Sequence, residues 1–268
     1  MTSTELSKTL KILRQAKRIS QLELSLRLDV SQRHISFVEQ GKSKPSRKLL
    51  IAWLQELETP PLVCNESMLA AGYAPVYQQS NLEAPELTLV RQSLQQLLSA
   101  HDPVPAMILD TDWNVIQFNR GGQWLARTLM PWLEAMKDQG SLNILDLLCL
   151  PEGFTKAIQN LEDVGPVILS ILKKEATVKP SIAEKVETFE ALLCDRLGKE
   201  KLPMPAIADT PVMTTRYQTK YGTLAFFSMF TTFGNPQDIT LASLRVEHLF
   251  PADEFTSQIL NQEAMGET

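Results

Sequence analysis

The chain has 268 residues, 44% apolar and 21% charged, a composition that excludes a disordered or low-complexity chain and suits two packed domains. Its net charge of −5 conceals an imbalance: residues 1–75 hold 11 Lys and Arg against 7 Asp and Glu, a surplus of +4 that leaves −9 for the rest. Only the N-terminal part is therefore suited to a polyanion. Cys64, Cys149 and Cys194 stand far apart, outside any C-x-x-C spacing, so neither a zinc site nor a disulfide framework is expected, and a reducing cytoplasm is. The first residues are polar, and no apolar run is long enough to cross a bilayer.

Residues 1–75 read as about five short amphipathic helices. Leu6, Leu10 and Leu13 mark the first, and Ser20 with Glu23 forms a capping-box pattern that starts the second, Gln21 to Leu28. Leu24 and Leu28 face inward there, and small Ser25 permits a close helix crossing. Asp29-Val30 is a turn, Ser31 an N-cap, Ile35 and Val38 the inner face of a third helix, and Gly41 its C-terminal stop. Residues 76–85, punctuated by prolines on either side, read as a linker.

From residue 86 to 268 the pattern is α+β. A helix over Glu86 to Ser99 is followed by a hairpin within Pro105 to Asn119, then by mostly helical sequence from Gln123 to Leu197 with breaks at Pro151, Gly153, Gly165-Pro166 and Pro180. The β signal returns at Val212 to Thr219, Thr223 to Phe233 and Ile239 to His248. An antiparallel sheet of about five strands, with helices inserted between the second and third, is the expected architecture.

Gln32, Arg33, Ser36 and Gln40 are left on the outer face of the third helix. In a major groove Gln pairs with adenine and Arg with guanine through two hydrogen bonds each, and Lys42, Lys44 and Arg47 supply charge for phosphates. The run Gln21-x-x-Leu24-Ser25, Val30-Ser31-Gln32, Ile35-Ser36, Glu39-x-Gly41 and Pro45-Ser46 resembles the signature of Xre/Cro-type helix-turn-helix regulators. That resemblance implies a phosphate contact from Gln21, base contacts from Gln32 and Arg33, Ser36 in the groove, and an Arg14–Glu39 ion pair tying the first helix to the third; Ser31 at the helix start and outward Gln40 are further candidates to contact DNA. The implied partner is double-stranded operator DNA, bound by a homodimer on two half-sites.

A second resemblance lies in the larger domain. Asp102-Pro103-Val104-Pro105-Ala106, Asp110-Thr-Asp-Trp113-Asn-Val115, Phe118-Asn119-Arg120, Thr231-Thr-Phe-Gly234 and Asp238 to Arg245 followed by Phe250-Pro-Ala-Asp253 are similar to the PAS-like ligand-binding domain of MmyB-like regulators. It implies a sheet curved around a pocket and a small apolar, fatty-acid-like ligand. Met107, Leu109, Trp113, Phe118, Trp124, Phe226, Phe227, Met229 and Phe230 are candidate walls, although core packing also explains large apolar residues of this kind. Arg216 and Arg245, with His248, lie on β-type segments and are candidates to meet a ligand carboxylate or to form ion pairs. The chain has no nucleophile elbow, P-loop, G-x-G-x-x-G or metal spacing, so neither an enzyme nor a cofactor is expected. The competing reading of the second domain is a dimerisation or partner-binding module.

Overall fold

The computed structural model describes residues 3–136, 142–198, 202, 212–234, 236 and 238–264, and the chain forms two compact units. The final four residues of the expected second domain, 265–268, lie outside those described. The first unit comprises residues up to 87 together with 233–243, and the second comprises 88–232 and the chain from 244.

The first unit is built on five helices: α1 Ser3–Ala16, α2 Gln21–Arg27, α3 Gln32–Glu39, α4 Arg47–Glu56 and α5 Pro61–Ala70. Ser20, Ser31 and Ser46 each accept a hydrogen bond from the backbone N–H three residues on, which satisfies an amide that a helix start would leave unpaired. Glu23 does not close the expected capping box, because its carboxylate pairs with Arg27 one turn later. Leu10, Leu24, Ile35, Leu50, Trp53 and Met68 are fully buried and make the core. The expected linker is not free chain. Asp238 accepts hydrogen bonds from the backbone of Ser80 and Thr240, Ile239 N–H donates to the Gln78 carbonyl, and residues 78 and 238 form a parallel bridge. This 233–243 segment contains the short helix α11, Ile239–Ser243, where sequence periodicity suggested a strand. Asp238 capping Thr240 accounts for the difference, since an Asp before Ile-Thr starts a helical turn more readily than it extends a strand.

The second unit opens with α6, Thr88–His101, and carries a five-stranded antiparallel sheet: β1 Ala106–Leu109, β2 Val115–Phe118, β3 Thr215–Thr219, β4 Gly222–Thr232 and β5 Arg245–Pro251, in the order β2-β1-β5-β4-β3. Between β2 and β3 come α7 Arg120–Leu129, α8 Ile144–Cys149, α9 Leu161–Val178 and α10 Ala183–Leu197, and α12 Glu254–Ile259 follows β5. The expected break at Gly165-Pro166 is absent, and α9 runs through it. Pro166 lies in the second turn, so α9 gives up one interior bond, that to the Glu162 carbonyl. Gly165 lets α9 approach α10 closely, since a Cβ there would meet a Leu193 side-chain methyl at 2.9 Å and that side chain would have to shift. The helices lie on the sheet face that carries Leu109, Tyr217, Phe226 and Leu249, while α6 packs on β1.

Beside α6, His101 and His248 stack edge to face, 4.5 Å between ring centroids, and Phe250 packs on both. His248 Nε2 lies 3.1 Å from Thr231 Oγ1, whereas His248 Nδ1 and His101 Nε2 are buried without a hydrogen-bond partner. Burial pushes both imidazoles below their ordinary value; His248 lowers His101 further, and Asp102 opposes that. A base whose folded pKa is depressed contributes stability in full above its unfolded value, about 6.5, and loses it as pH falls through the folded value. Stability should therefore decline from pH 7 to pH 5, and His248→Phe should shallow that decline in urea melts. Glu247, raised by burial, has the opposite slope, so the difference between the two proteins isolates the histidines.

Candidate nucleic-acid interface and ligand cavity

In the helical unit, α2 and α3 are joined by a turn in which Asp29 adopts φ 51°, a left-handed conformation that its short polar side chain tolerates. Gly41, φ 70°, ends α3 with its N–H on the Val38 carbonyl. Ile35 and Val38 are buried, which turns Gln32, Arg33, Ser36 and Gln40 outward. What fixes α3 is an ion pair at its end: Arg14 Nε and Nη2 donate to the two Glu39 carboxylate oxygens at 2.6 and 2.9 Å, and Nη1 donates to the Ile19 carbonyl. The Arg14 and Glu39 side chains are 9% and 2% exposed, so the pair is well shielded from water. The hydrogen bond to Glu39 holds the Arg14 pKa above its ordinary value, with burial opposing.

The residues expected to read DNA are not equally free. Gln32, Arg33, Gln40, Lys42, Lys44 and Arg47 are exposed. Gln40 donates its amide to Ser36, and Gln21 donates to Glu39 at 2.8 Å, which leaves one Gln21 amide hydrogen for a phosphate. Ser31 accepts from His34 N–H as an N-cap yet keeps its own proton to donate. Phe37 carries the Arg33 guanidinium 5.1 Å and the Lys42 ammonium 6.0 Å from its ring centre. Lys44 lies 4.5 Å over Tyr73, whose hydroxyl donates to the Pro45 carbonyl. Phe37 and Tyr73 thus serve as platforms that hold cations at the surface.

In the second unit a cavity of about 390 Å³ lies between the sheet and α7, α8 and α9. Protein interiors leave few voids larger than a water molecule, and small-ligand sites run from roughly 300 to 1,000 Å³. Its helical wall includes Leu125, Leu129, Leu147, Leu148, Ile168 and Leu172, and its sheet wall includes Met107, Phe118, Tyr217, Phe230 and Leu249. Phe230, Ile171 and Val212 line it while remaining exposed, which places them at its rim.

Trp113, also in the wall, has φ 66°, a costly conformation for a bulky residue. It is held from three sides: Asp110 Oδ1 accepts from both Asp112 and Asn114 N–H, Trp113 Nε1 donates to Glu175 at 3.0 Å, and the Arg245 guanidinium lies 3.7 Å from the ring centre.

Of the expected pocket residues, the structure brings Met107, Trp113, Phe118 and Phe230 together around the cavity. Leu109, Trp124 and Phe226 are in the packed core next to it, with Trp124 stacked on Tyr221. Arg216, Phe227 and Met229 correct the expectation: they alternate with Tyr217, Phe226 and Ser228 and so point from the opposite face, where Phe227 stacks on Phe250. Arg245 is on the cavity side of β5, but its Nη1 is paired with Glu175 and its Nε and Nη2 are buried against Trp113 and Phe230 without a hydrogen bond. Among the described residues it is not one that lines the cavity. Glu247, Ser228, Thr215 and Tyr217 line the cavity and were not singled out in the sequence. The available signal was the alternation Arg245-Val-Glu247-His-Leu249, which puts one acid on the same face as Leu249. The three cysteines are free thiols, and burial pushes Cys64 and Cys149 up to about 11.

An outward polar helix seated on a helix-turn-helix, together with a sheet-and-helix body enclosing an apolar cavity, defines a DNA-binding transcription regulator with a ligand-binding domain. Residues 10–63 match the family described as Helix-turn-helix, and residues 90–262, more than half the chain, match the MmyB-like transcription regulator ligand binding domain. The chain belongs to the MmyB-like transcription regulators. No curated protein matches it. Among the described residues no helix is long and apolar enough to cross a membrane.

Proposed function

We propose that this chain is a cytoplasmic, homodimeric regulator that binds a two-half-site operator through α3 and whose operator affinity is set by an acyl-chain ligand in the cavity. The observation that carries this reading is the 390 Å³ cavity walled mainly by leucine, isoleucine, methionine and aromatic side chains, a volume too large to be a packing fault and within the range of small-ligand sites. Arg33 and Gln32 read base edges, and Lys42, Lys44 and Arg47 hold phosphates. A ligand changes operator affinity only by the amount it prefers one arrangement of the dimer, typically about 1–3 kcal/mol. Mass spectrometry of an organic extract of the purified protein, followed by operator-binding anisotropy with and without the extracted compound, tests the whole reading. An extract without ligand and an operator affinity indifferent to acyl compounds would leave a dimerisation or partner-binding module in its place.

Arg33→Ala should weaken binding to the cognate operator by about 1–3 kcal/mol and relax preference at one base pair. Lys44→Ala should weaken cognate and random DNA alike and reduce the salt dependence by about one counterion. Anisotropy titrations at several salt concentrations separate the two, and equal losses on both DNAs for Arg33→Ala would make it a phosphate contact.

A further inference from the structure

Among the described residues that line the cavity, Glu247 alone bears an ionisable carboxylate, and it sits on the strand wall of a mainly apolar cavity. Ser228 donates to Glu247 Oε1 at 2.8 Å, and no hydrogen bond from a described residue ends on Oε2. Glu247 is only partly buried and lines the cavity beside exposed Ser228 and the rim residue Phe230, its cross-strand neighbour. The nearest cation, Arg245, is two residues away on the same face of β5 but is paired with Glu175 on α9 and stacked on Trp113. Tyr217 on β3 also faces this end, and its hydroxyl ionises only well above the ordinary range, so it adds no charge. The polar end of the cavity therefore presents an acceptor with no counter-ion of its own.

We propose that Glu247 is the head-group site of the cavity and selects single-chain amphiphiles with a neutral, hydrogen-bond-donating head, such as a primary alcohol or amide, over the carboxylate anion of a fatty acid. The inference rests on the acyl-chain reading above and adds the head-group chemistry to it. Two carboxylates at one end of an apolar cavity repel, whereas a hydroxyl donating to Oε2 adds a hydrogen bond to a carboxylate that already accepts one from Ser228. Burial holds the Glu247 carboxyl above its ordinary value, with Ser228 and then Arg245 opposing, as expected of an acid short of partners. A fatty acid can then enter only together with a proton, shared between its carboxyl and that of Glu247.

Calorimetric titration of the delipidated full chain with 1-decanol and with decanoate at pH 7.5 tests this directly. Decanol should bind at least about tenfold more tightly, because a like-charge contact closed off by the bound chain costs at least that much. The gap should narrow at pH 5.5, and Glu247→Gln should close it by restoring decanoate binding. Decanoate binding as tightly as decanol to the unmodified protein at pH 7.5 overturns the head-group assignment while leaving the acyl-chain reading intact. Failure of both probes overturns that reading and this one together. The comparison on the unmodified chain decides the matter even if the variant does not fold.

Discussion

Glu39→Ala should destabilise the helical unit by about 3–5 kcal/mol, the cost of leaving a shielded charge without its partner. Arg14 would keep its hydrogen bond to the Ile19 carbonyl but lose both carboxylate oxygens, and Gln21 would lose its acceptor on the same side chain. The loss falls where α1, α2 and α3 are tied together, so operator affinity should drop with stability. A marginally stable small domain has roughly 5–15 kcal/mol in total, so most of its margin is at stake. Urea unfolding followed by far-UV circular dichroism should show an early transition for the helical unit while the second unit keeps its own midpoint. The double change Arg14→Met with Glu39→Leu should recover much of the loss, because an apolar pair leaves no charge buried. A single change that shifts the midpoint by less than about 1 kcal/mol would mean that water reaches the pair after all.

Gly121→Ala is expected to be among the most damaging small substitutions in the second unit. A Cβ at that position would meet the Pro103 carbonyl oxygen at 2.0 Å and its carbon at 2.8 Å, and backbone cannot move aside as a side-chain tip does. Relief requires the start of α7 to withdraw from the segment preceding β1, where Gly121 N–H donates to Asp102 and Asn119 bridges Ala106 N–H to Gly122 N–H through one carbonyl oxygen. Overpacking of this kind costs about 1–3 kcal/mol and occasionally more, and the backbone partner places this case at the upper end. Since α7 provides Leu125 and Leu129 to the cavity, ligand affinity should fall in parallel. Thermal melts of the full chain measure the first effect, and unchanged melting would show that α7 can shift without penalty.

The helix-turn-helix was legible because its signals are local. Ser20, Ser31, Asp29 and Gly41 each declare a backbone conformation within a few residues, and each adopts it. The sheet was legible as strands, since alternation and β-branched content mark β1 to β4, but not as faces. Period-two alternation assigns Phe226, Ser228 and Phe230 to one side and Phe227 and Met229 to the other without saying which side meets the helices. That is decided by α7, α8 and α9, whose packing partners are distant in sequence. Glu247 was hidden for the same reason: an acid on a strand reads as solvated until the opposite wall is in place. The 239–243 helix escaped because Ile-Thr-Leu has strand-like composition, and only the folded chain shows Asp238 capping it at Thr240 N–H while also accepting from Ser80.

The 233–243 segment determines how the molecule can be divided. It completes the helical unit although it is encoded between β4 and β5, so no single cleavage point separates DNA reading from ligand binding. A fragment ending at residue 87 would lack Asp238, leaving the Ser80 N–H and Gln78 carbonyl without the partners they have in the whole chain. Conversely, replacing 233–243 by a short turn would yield an uninterrupted β4–β5 hairpin in the second unit and strip the first of its last buried piece, Ile239. In domain-swap experiments between related regulators, the recognition module is thus discontinuous, and a chimera that exchanges only the N-terminal residues inherits a mismatched fastening.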